Sequence, residues 1–243
     1  MTRADFYALT KHTFAENGLS DYAADDAAEK FFLLTDIMRK TNEKMNITAI
    51  TDEEEIIARH YADCLFAVKY LPHGATVLDV GSGGGMPTLP FAIVRPDIKI
   101  TALDATAKKT AYIADAARAL ELTNVKTICG RAEELGKDPA YREKFDLVCA
   151  RAVARLNILL EWCIPFCKVN GIFIAMKGKN AEEELNEAIS AIEKLNISLS
   201  EKQEIILREK SGNSSRKNLI FHKNAETPAI YPRTNAQIKK KPL

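Results

Sequence analysis

The stretch from Thr76 to Ile93 places the strongest constraint on how this chain can fold. A β-prone run from Thr76 to Val80 leads into four glycines within five residues, and an apolar, helix-like run begins near Met86. Strand, glycine turn and helix N-terminus form the layout with which a doubly wound sheet holds a nucleotide-like ligand at the carboxyl edge of its strands. Glycines suit such a turn because they accept positive φ and let a ligand approach the backbone closely.

The residues around the glycines discriminate between two nucleotide-like ligands. A dinucleotide fingerprint starting at Gly81 and Gly83 would need a third glycine at position 86, where this chain has Met86. Asp79 stands two residues before Gly81, where it would repel a pyrophosphate and attract a cation. S-adenosylmethionine (SAM) carries an ammonium and a sulfonium and no phosphate. The pattern Asp79-x-Gly81-x-Gly83-x-Gly85 therefore favours SAM over NAD. A nicotinamide-dependent oxidoreductase and a glycine turn without a ligand are the alternatives.

Strand-like and helix-like segments alternate from Ala75 onward, which predicts an α/β fold with a mainly parallel, doubly wound, Rossmann-like sheet. The expected strands span residues 76–80, 98–103, 125–129, 145–149 and 172–176, with two final strands at 205–207 and 218–221. Before the sheet, apolar positions recur at helical spacing, and Thr51-x-x-Glu54 predicts a capped helix that reaches Tyr70. We therefore divide the chain into an N-terminal helical extension (1–70), a SAM-binding Rossmann-like domain (71–225) and a basic C-terminal tail (226–243).

Polar residues follow successive predicted strands of the sheet. Asp104 ends the second strand, where a carboxylate can grip the hydroxyls of a ribose. Ala132 and Glu133 follow the third strand, Arg151 the fourth and Lys177 the fifth. Because parallel strands end at the same edge of a sheet, we expect these residues to line one site. The planar Arg151 guanidinium can hold a phosphate or a base edge, or form an ion pair with an acid across the cleft.

The near-zero net charge conceals a basic C-terminal end. From Arg208 to Leu243 there are nine Lys or Arg residues and two acids. This imbalance predicts an arm that contacts a polyanion such as RNA without affecting the SAM site, and a solubilising tail is the alternative.

The cysteines and the hydropathy of the sequence indicate the environment in which the protein acts. The five cysteines form no C-x-x-C pair, which predicts a reducing, cytoplasmic environment and no metal site. No apolar run approaches the roughly 18 residues that a membrane helix needs, so we expect no membrane association. We also expect the chain to act as a monomer.

Taken together, these motifs resemble the bacterial RsmG (GidB) methyltransferases, which use SAM to methylate N7 of a guanine in small-subunit (16S) ribosomal RNA. The resemblance spans nearly the whole chain. It is carried by Asn46-Ile47-Thr48, Arg59-His60-x-x-Asp63-Cys64-Leu65, Asp79 to Pro90, Leu103-Asp104-x-x-x-Lys108-Lys109, Arg131-Ala132-Glu133, Phe145 to Ala154, Lys177-Gly178 and Tyr231-Pro232-Arg233.

The resemblance also implies roles for individual residues. It implies that Gly81 and Met86 contact SAM, that Ala132 and Glu133 line the adenine side, and that Arg151 contacts the cofactor and acts at the reacting end. This chain departs from the family where it has Cys64 instead of serine, and Thr88 and Asn170 instead of glycine. The tail also lacks the family's usual glycine and proline near Ala236 and Ile238.

The predicted function is methyl transfer from SAM to guanine N7 in 16S ribosomal RNA or in the small ribosomal subunit. Guanine N7 has an in-plane lone pair and no proton, so catalysis reduces to alignment, which agrees with the absence of an acid–base dyad from the motifs. The alternatives are a small-molecule SAM-dependent methyltransferase and a non-catalytic RNA-binding module that retains SAM. The residues expected to contact RNA or shape the substrate side are Arg151, Lys177, Arg233, Lys239, Lys240, Lys241, Asn46, Arg59 and His60.

Overall fold

Seven strands form one mixed sheet in the computed structural model, which describes residues 1–243. The strand order across the sheet is β3-β2-β1-β4-β5-β7-β6. The strands are β1 (Thr76–Val80), β2 (Lys99–Asp104), β3 (Val125–Cys129), β4 (Phe145–Arg151), β5 (Cys167–Lys177), β6 (Ile197–Glu209) and β7 (Gly212–Lys223). From β1 the sheet grows to β2 and β3 on one side, and the chain then returns to form β4 on the other side of β1. Ligands bind at such a switch point in sheets of this kind.

The first five strands are parallel, and β7 runs antiparallel to both β5 and β6. The predicted Rossmann-like α/β class is therefore confirmed. Strands β6 and β7 are much longer than predicted, because they pair with each other over nearly their whole length. Their charged and polar residues face solvent along most of this hairpin, which hides the strand signal in the sequence.

Helices lie on both faces of the sheet. They are α1 (Arg3–Glu16), α2 (Asp25–Asn42), α3 (Glu53–Ile56), α4 (Asp63–Leu65), α5 (Thr88–Val94), α6 (Ala107–Ala119), α7 (Ala132–Leu135), α8 (Leu156–Cys163), α9 (Ala181–Glu187), α10 (Ile189–Lys194) and α11 (Asn235–Lys240). A π-helical turn, Ile57–Ala62, joins α3 to α4. None of the helices combines the length and the apolar character that a membrane span requires.

The start of α3 differs by one residue from the predicted capping box. Asp52, not Thr51, is the N-cap, and its side chain accepts a hydrogen bond from the backbone N–H of Glu55. Asp is at least as good an N-cap as Thr, so the two adjacent candidates could not be ranked from the sequence. The predicted helix does continue towards Tyr70, but through π and 3₁₀ turns.

Alternation along the strands produces two apolar cores. In β4, Leu147 and Cys149 face a core shared with α1, α2, α5 and α6, whereas Val148 and Ala150 face a core shared with α8, α9 and α10. Strands buried on both faces are typical of a sheet covered by helices on both sides. The N-terminal helices thus pack directly on the sheet that carries the glycine loop.

Candidate functional site

The glycine loop folds over the carboxyl end of β1 and is tied to the neighbouring strand. The backbone N–H groups of Gly81 and Ser82 donate to the Leu103 carbonyl at 2.8 and 3.0 Å. Gly81, Gly83 and Gly85 have φ values of +74°, +54° and +84°, a region that favours glycine. The predicted turn is present, with a strand before it and α5 after it.

The glycines serve different purposes in the structure. A Cβ on Gly81 would lie 2.7 Å from Val153 Cγ2, and one on Gly85 would lie 2.7 Å from Leu89 Cδ1. Both positions therefore need glycine for close packing. A Cβ on Gly83 would meet nothing nearer than the Gly81 carbonyl oxygen at 3.8 Å, so this position faces open space. Gly85 was predicted to contact the cofactor, but it packs against the first turn of α5.

Asp79 lies beneath the loop and not on its surface. Its fully buried carboxylate accepts hydrogen bonds at Oδ2 from the Thr88 hydroxyl (2.7 Å) and the Thr88 backbone N–H (3.3 Å), and Oδ1 has no partner. Burial raises the pKa of Asp79 to about 7, although both hydrogen bonds from Thr88 act in the opposite direction. The predicted attraction of Asp79 for a cationic ligand would therefore act through its neighbours and not by direct contact. Any influence on a ligand has to be electrostatic.

Asp104 at the end of β2 braces the same loop. Its Oδ2 accepts from the backbone N–H of Gly83 at 3.0 Å, and its Oδ1 accepts from the Thr106 N–H at 2.8 Å. Each carboxylate oxygen keeps a free lone pair, because an ionised carboxylate has about four acceptor sites. The side chain also lines a cavity, so the Asp104 oxygens can still accept hydrogen bonds from the ribose hydroxyls of a ligand there.

Three adjoining cavities follow the carboxyl edge of the sheet. Cavity A, of about 130 Å³, lies between the ends of β1, β2 and β3 and is lined by predicted site residues and by residues of α8 and α11. Predicted residues in its lining are Gly81, Asp104, Ala132, Glu133 and Lys239. Cavity B, of about 280 Å³, shares Gly81 with cavity A and lies on the other side of the loop. Cavity C, of about 440 Å³, shares Arg151 and Ala152 with cavity B.

Cavity A contains buried polar atoms that have no partner in the protein. They are Glu133 Oε1, Trp162 Nε1 and Asn235 Oδ1. A buried polar atom without a partner costs free energy, so such atoms are rare unless a ligand or water satisfies them. Two acceptors and one donor around an apolar cavity fit a nucleoside, which carries both kinds of group. The residues present therefore suit the adenosine portion of SAM.

Cavity B is formed by the loop and by the segment that precedes α3. Its lining includes Thr48, His60, Gly83, Met86 and Arg151. His60 Nε2 lies 2.8 Å from the Thr48 hydroxyl, and its buried Nδ1 has no partner. Burial, together with the nearby Arg151 guanidinium, lowers the pKa of His60 to about 4. A neutral imidazole thus faces this cavity at physiological pH.

Arg151 lies between cavities B and C and is held from the opposite side of the cleft. Its Nε donates to Asp63 Oδ2 at 3.0 Å, and its Nη2 lies 2.9 Å from the same oxygen and donates to the Arg59 carbonyl at 2.7 Å. Asp63 accepts a second cation, Arg216, at 3.3 Å. Of the two roles open to Arg151 from the sequence, the structure thus shows the ion pair across the cleft.

Lys177 also points to partners within the protein. Its Nζ donates to the Ala154 carbonyl at 2.6 Å and to Glu184 at 2.7 Å, and its side chain is 8% exposed. It lines cavity C, but as a buried ion pair. A buried ammonium requires a counter-charge, which Glu184 supplies, and the predicted contact of Lys177 with RNA stays a prediction.

Several residues predicted to contact RNA lie outside the three cavities. Arg59 pairs with Glu209 at 3.1 Å and with Glu55 at 3.6 Å, and Arg233 makes a bidentate pair with the fully buried Glu161. The Arg233 guanidinium is thus engaged by Glu161, and its contact with RNA stays a prediction. Asn46, Lys240 and Lys241 are exposed on the surface.

The tail is not an independent arm. Of the nine basic residues beyond position 207, only Lys239, Lys240 and Lys241 make neither an ion pair nor a side-chain hydrogen bond. The tail ends in α11, and Lys239 and Asn235 of that helix line cavity A. The tail therefore contributes two residues to the lining of cavity A.

Sequence reasoning missed four residues of the site. Trp162 is the only tryptophan of the chain, and a single large aromatic with a polar N–H was a usable signal. Asn235 and Thr48 gave no comparable signal, because their roles depend on how distant segments pack. Asp63 entered the sequence analysis only as part of the motif Arg59-His60-x-x-Asp63-Cys64-Leu65, without a role of its own.

Solved structures share the fold at low sequence identity. A crystal structure described as a SAM-dependent methyltransferase from Aquifex aeolicus aligns with a TM-score of 0.55 and 17% identity, over 78% of this chain and 98% of that one. A [4+2]-cyclase, SpnF, aligns equally well, with a TM-score of 0.55 and 16% identity over 81% of this chain and 94% of that one. The fold alone thus admits more than one reaction. The structural comparison therefore shows an α/β fold that SAM-dependent methyltransferases share.

Sequence comparison specifies the family. The family model described as rRNA small subunit methyltransferase G (GidB) matches residues 27–211. A Ribosomal RNA small subunit methyltransferase G from Clostridium perfringens is 42% identical over 90% of this chain and 92% of its own length. One from Brevibacillus brevis is 40% identical over 97% of this chain and 100% of its own. The chain belongs to this family, as its motifs predicted.

Proposed function

We propose that this protein transfers a methyl group from SAM to N7 of a guanine in 16S ribosomal RNA, within the small subunit or its precursor. The observation that carries the proposal is the position of the family's motifs in the structure. The glycine loop, Glu133 and Arg151 lie along one edge of the sheet, around three adjoining cavities. A nicotinamide-dependent oxidoreductase is excluded by the family to which the chain belongs.

The chain's own residues account for binding and orientation. Cavity A would hold the adenosine portion of SAM against Asp104, Ala132 and Glu133, and the glycine loop with Met86 would hold the methionyl portion. SAM, when bound, supplies the methyl group in activated form. Cavity B adjoins the loop on the side away from cavity A, which makes it the candidate pocket for the guanine.

The polar groups of cavity B suit a base that needs to be positioned but not deprotonated. The unpartnered Nδ1 of His60 can make one hydrogen bond to a base, and the Arg151–Asp63 pair fixes the segment that carries His60. With its pKa lowered to about 4, His60 is a poor general base, since efficient bases have pKa values near the working pH. N7 requires no proton removal, so this arrangement is sufficient for the proposed acceptor.

The unpaired basic residues suggest where RNA lies. Lys239, Lys240 and Lys241 are exposed at the end of α11, next to cavity A. Exposed lysines without acidic partners favour binding to a phosphate backbone and make that binding depend on salt. We propose this cluster as the main RNA contact of the tail.

The methyl-transfer reaction itself is the direct test. Incubation of the protein with tritiated SAM and small ribosomal subunits that lack the modification should label 16S RNA, and mass mapping should locate 7-methylguanosine at a single site. Subunits already methylated by the same protein serve as the matched control and should accept no label. Label on an exocyclic nitrogen, on a ribose or only on small molecules would contradict the proposed acceptor.

SAM affinity should depend on pH through Asp79. The pKa of Asp79 is raised to about 7 without ligand, so the carboxylate is largely protonated below that pH. A cationic ligand favours the ionised form, and binding must then release a proton. Affinity should fall as pH decreases through 7, approaching tenfold per pH unit, and should level off above about pH 8. Calorimetric titration with SAM between roughly pH 5.5 and 8.5 measures this dependence.

The matched variant for this prediction is Asp79→Asn. It retains an acceptor for the Thr88 hydroxyl but cannot ionise, so its SAM affinity should be lower at high pH and independent of pH. An unchanged pH dependence in Asp79→Asn would assign the titration to another group.

A further inference from the structure

Helix α11 forms one wall of cavity A, although it lies at the far end of the chain from the glycine loop. Asn235 and Lys239 of this helix line the cavity together with Trp162 of α8 and Glu133 of α7. The cavity is thus closed by a segment that was expected to be a separate tail.

This wall is held firmly in position. Arg233 donates from its backbone N–H, its Nε and its Nη2 to the buried Glu161, at 2.8, 2.9 and 2.6 Å. Ile238 is fully buried on the inner side of the helix. A capping box between Thr234 and Gln237 orders its first turn. The side chain of Asn235 therefore has a defined place on the cavity wall.

Arg142 adds a second anchor upstream of the helix. Its guanidinium donates to the carbonyls of Thr227 (2.6 Å) and Tyr231 (2.8 Å) and to that of Gly136 (3.0 Å). It thereby joins the segment that precedes α11 to the turn after α7, which carries Glu133. The segments that carry Glu133 and Asn235 are thus both held by hydrogen bonds to one arginine.

The polar atoms that remain unpaired here form a complementary set. Glu133 Oε1 and Asn235 Oδ1 are acceptors, Trp162 Nε1 is a donor, and all three atoms are buried without a partner. Glu133 is itself 7% exposed, so its carboxylate is poorly solvated. An aminopurine offers N–H donors on its exocyclic amine and acceptors at its ring nitrogens, and so can satisfy all three.

Resting on the proposed function, we propose that α11 completes the adenine pocket and that Asn235 Oδ1 accepts a hydrogen bond from the exocyclic amine of the adenine. Asn235 is then a specificity-determining residue that the C-terminal segment supplies to the cofactor site. The chain's departure from the family's usual tail near Ala236 and Ile238 permits a helix here, since a proline at position 238 would lack the N–H that donates to the Thr234 carbonyl.

The test compares two product analogues that differ only at the proposed contact. S-Adenosylhomocysteine carries the exocyclic amine, whereas S-inosylhomocysteine carries a carbonyl oxygen in its place. Asn235→Ala in the full chain should weaken S-adenosylhomocysteine binding by about tenfold and leave S-inosylhomocysteine binding nearly unchanged, because one buried hydrogen bond is lost with only one of them. Isothermal calorimetry measures both affinities without reference to turnover.

Two further variants separate contact from folding. Asn235→Asp keeps an acceptor at the same place and should retain most of the discrimination, whereas Ala236→Gln, at an exposed position of the same helix, should leave both affinities unchanged. Equal losses for both analogues in Asn235→Ala, or no loss for either, would overturn the role of Asn235 while leaving the proposed function intact. A wild-type protein that binds neither analogue would instead overturn the proposed function.

Discussion

Replacing Arg233 with alanine should lower the free energy of unfolding by about 3–5 kcal/mol, which is a large part of the stability of an ordinary domain. The reason is Glu161, which is fully buried and receives three hydrogen bonds from the Arg233 guanidinium and one from its backbone N–H. Removal of the guanidinium leaves a buried carboxylate without its counter-charge. Urea unfolding of the wild type and the variant at pH 7.5 measures the difference.

A double variant and a surface variant test whether the loss of stability comes from leaving the buried Glu161 unpaired. Arg233→Met combined with Glu161→Leu removes both charges and should be less destabilised than Arg233→Ala alone, because a buried pair costs most when one partner is left. Arg155→Ala breaks pairs with Glu183 and Glu187, but Arg155 is 48% exposed, so this variant should lose little stability. Similar losses for Arg233→Ala and Arg155→Ala would show that burial of Glu161 does not govern the effect.

The sequence predicted most of the sheet, because the local strand propensity of each segment agrees there with its place in the fold. Strands β1 and β3 begin and end where predicted, since each is a short apolar or β-branched run bounded by a turn. The hairpin of β6 and β7 was predicted only in fragments, because its length depends on pairing between two polar strands. The cap of α3 moved by one residue because Thr51 and Asp52 are both good N-caps.

The sequence predicted the location of the candidate site better than it predicted what each of its residues contacts. Gly81, Asp104, Glu133 and Arg151 do meet at one edge of the sheet, as parallel strand order requires. Which groups remain free for a ligand could not be read from the sequence, because it depends on partners that are distant along the chain. Arg151 is bound to Asp63, 88 residues away in sequence, and is no longer a free cation.

The basic C-terminal end, residues 208–243, shows the same limit most clearly. It does carry an excess of basic residues, but five of them neutralise acids elsewhere in the fold, as Lys223 does with Glu143 at 2.6 Å. Composition counts charges without showing their partners. Only the three lysines near the end of α11 keep the character that the composition suggested.

Replacing Arg151 with lysine should slow single-turnover methyl transfer by about 100-fold at saturating SAM, while changing S-adenosylhomocysteine affinity by less than about threefold. Lysine keeps the charge but has no planar fork, so it cannot hold Asp63 and the Arg59 carbonyl together. The π-helical turn that carries His60 would then shift relative to the glycine loop. Displacements of about 1 Å at a reacting centre are enough for losses of this size. Arg155→Lys, four residues along the chain, is the matched control and should keep the wild-type rate.

The pH profile distinguishes this positioning role from proton transfer. With SAM saturating, the wild-type rate should be nearly flat from about pH 6.5 to 8.5, because N7 has no proton to lose and the pKa of His60 lies far below this range, at about 4. The Arg151→Lys rate should be lower by the same factor at every pH in that range, because misalignment does not titrate. A lysine variant whose deficit disappears at one end of the range would assign Arg151 to controlling the pKa of a catalytic group. That result would contradict alignment as its role and require an acceptor that loses a proton.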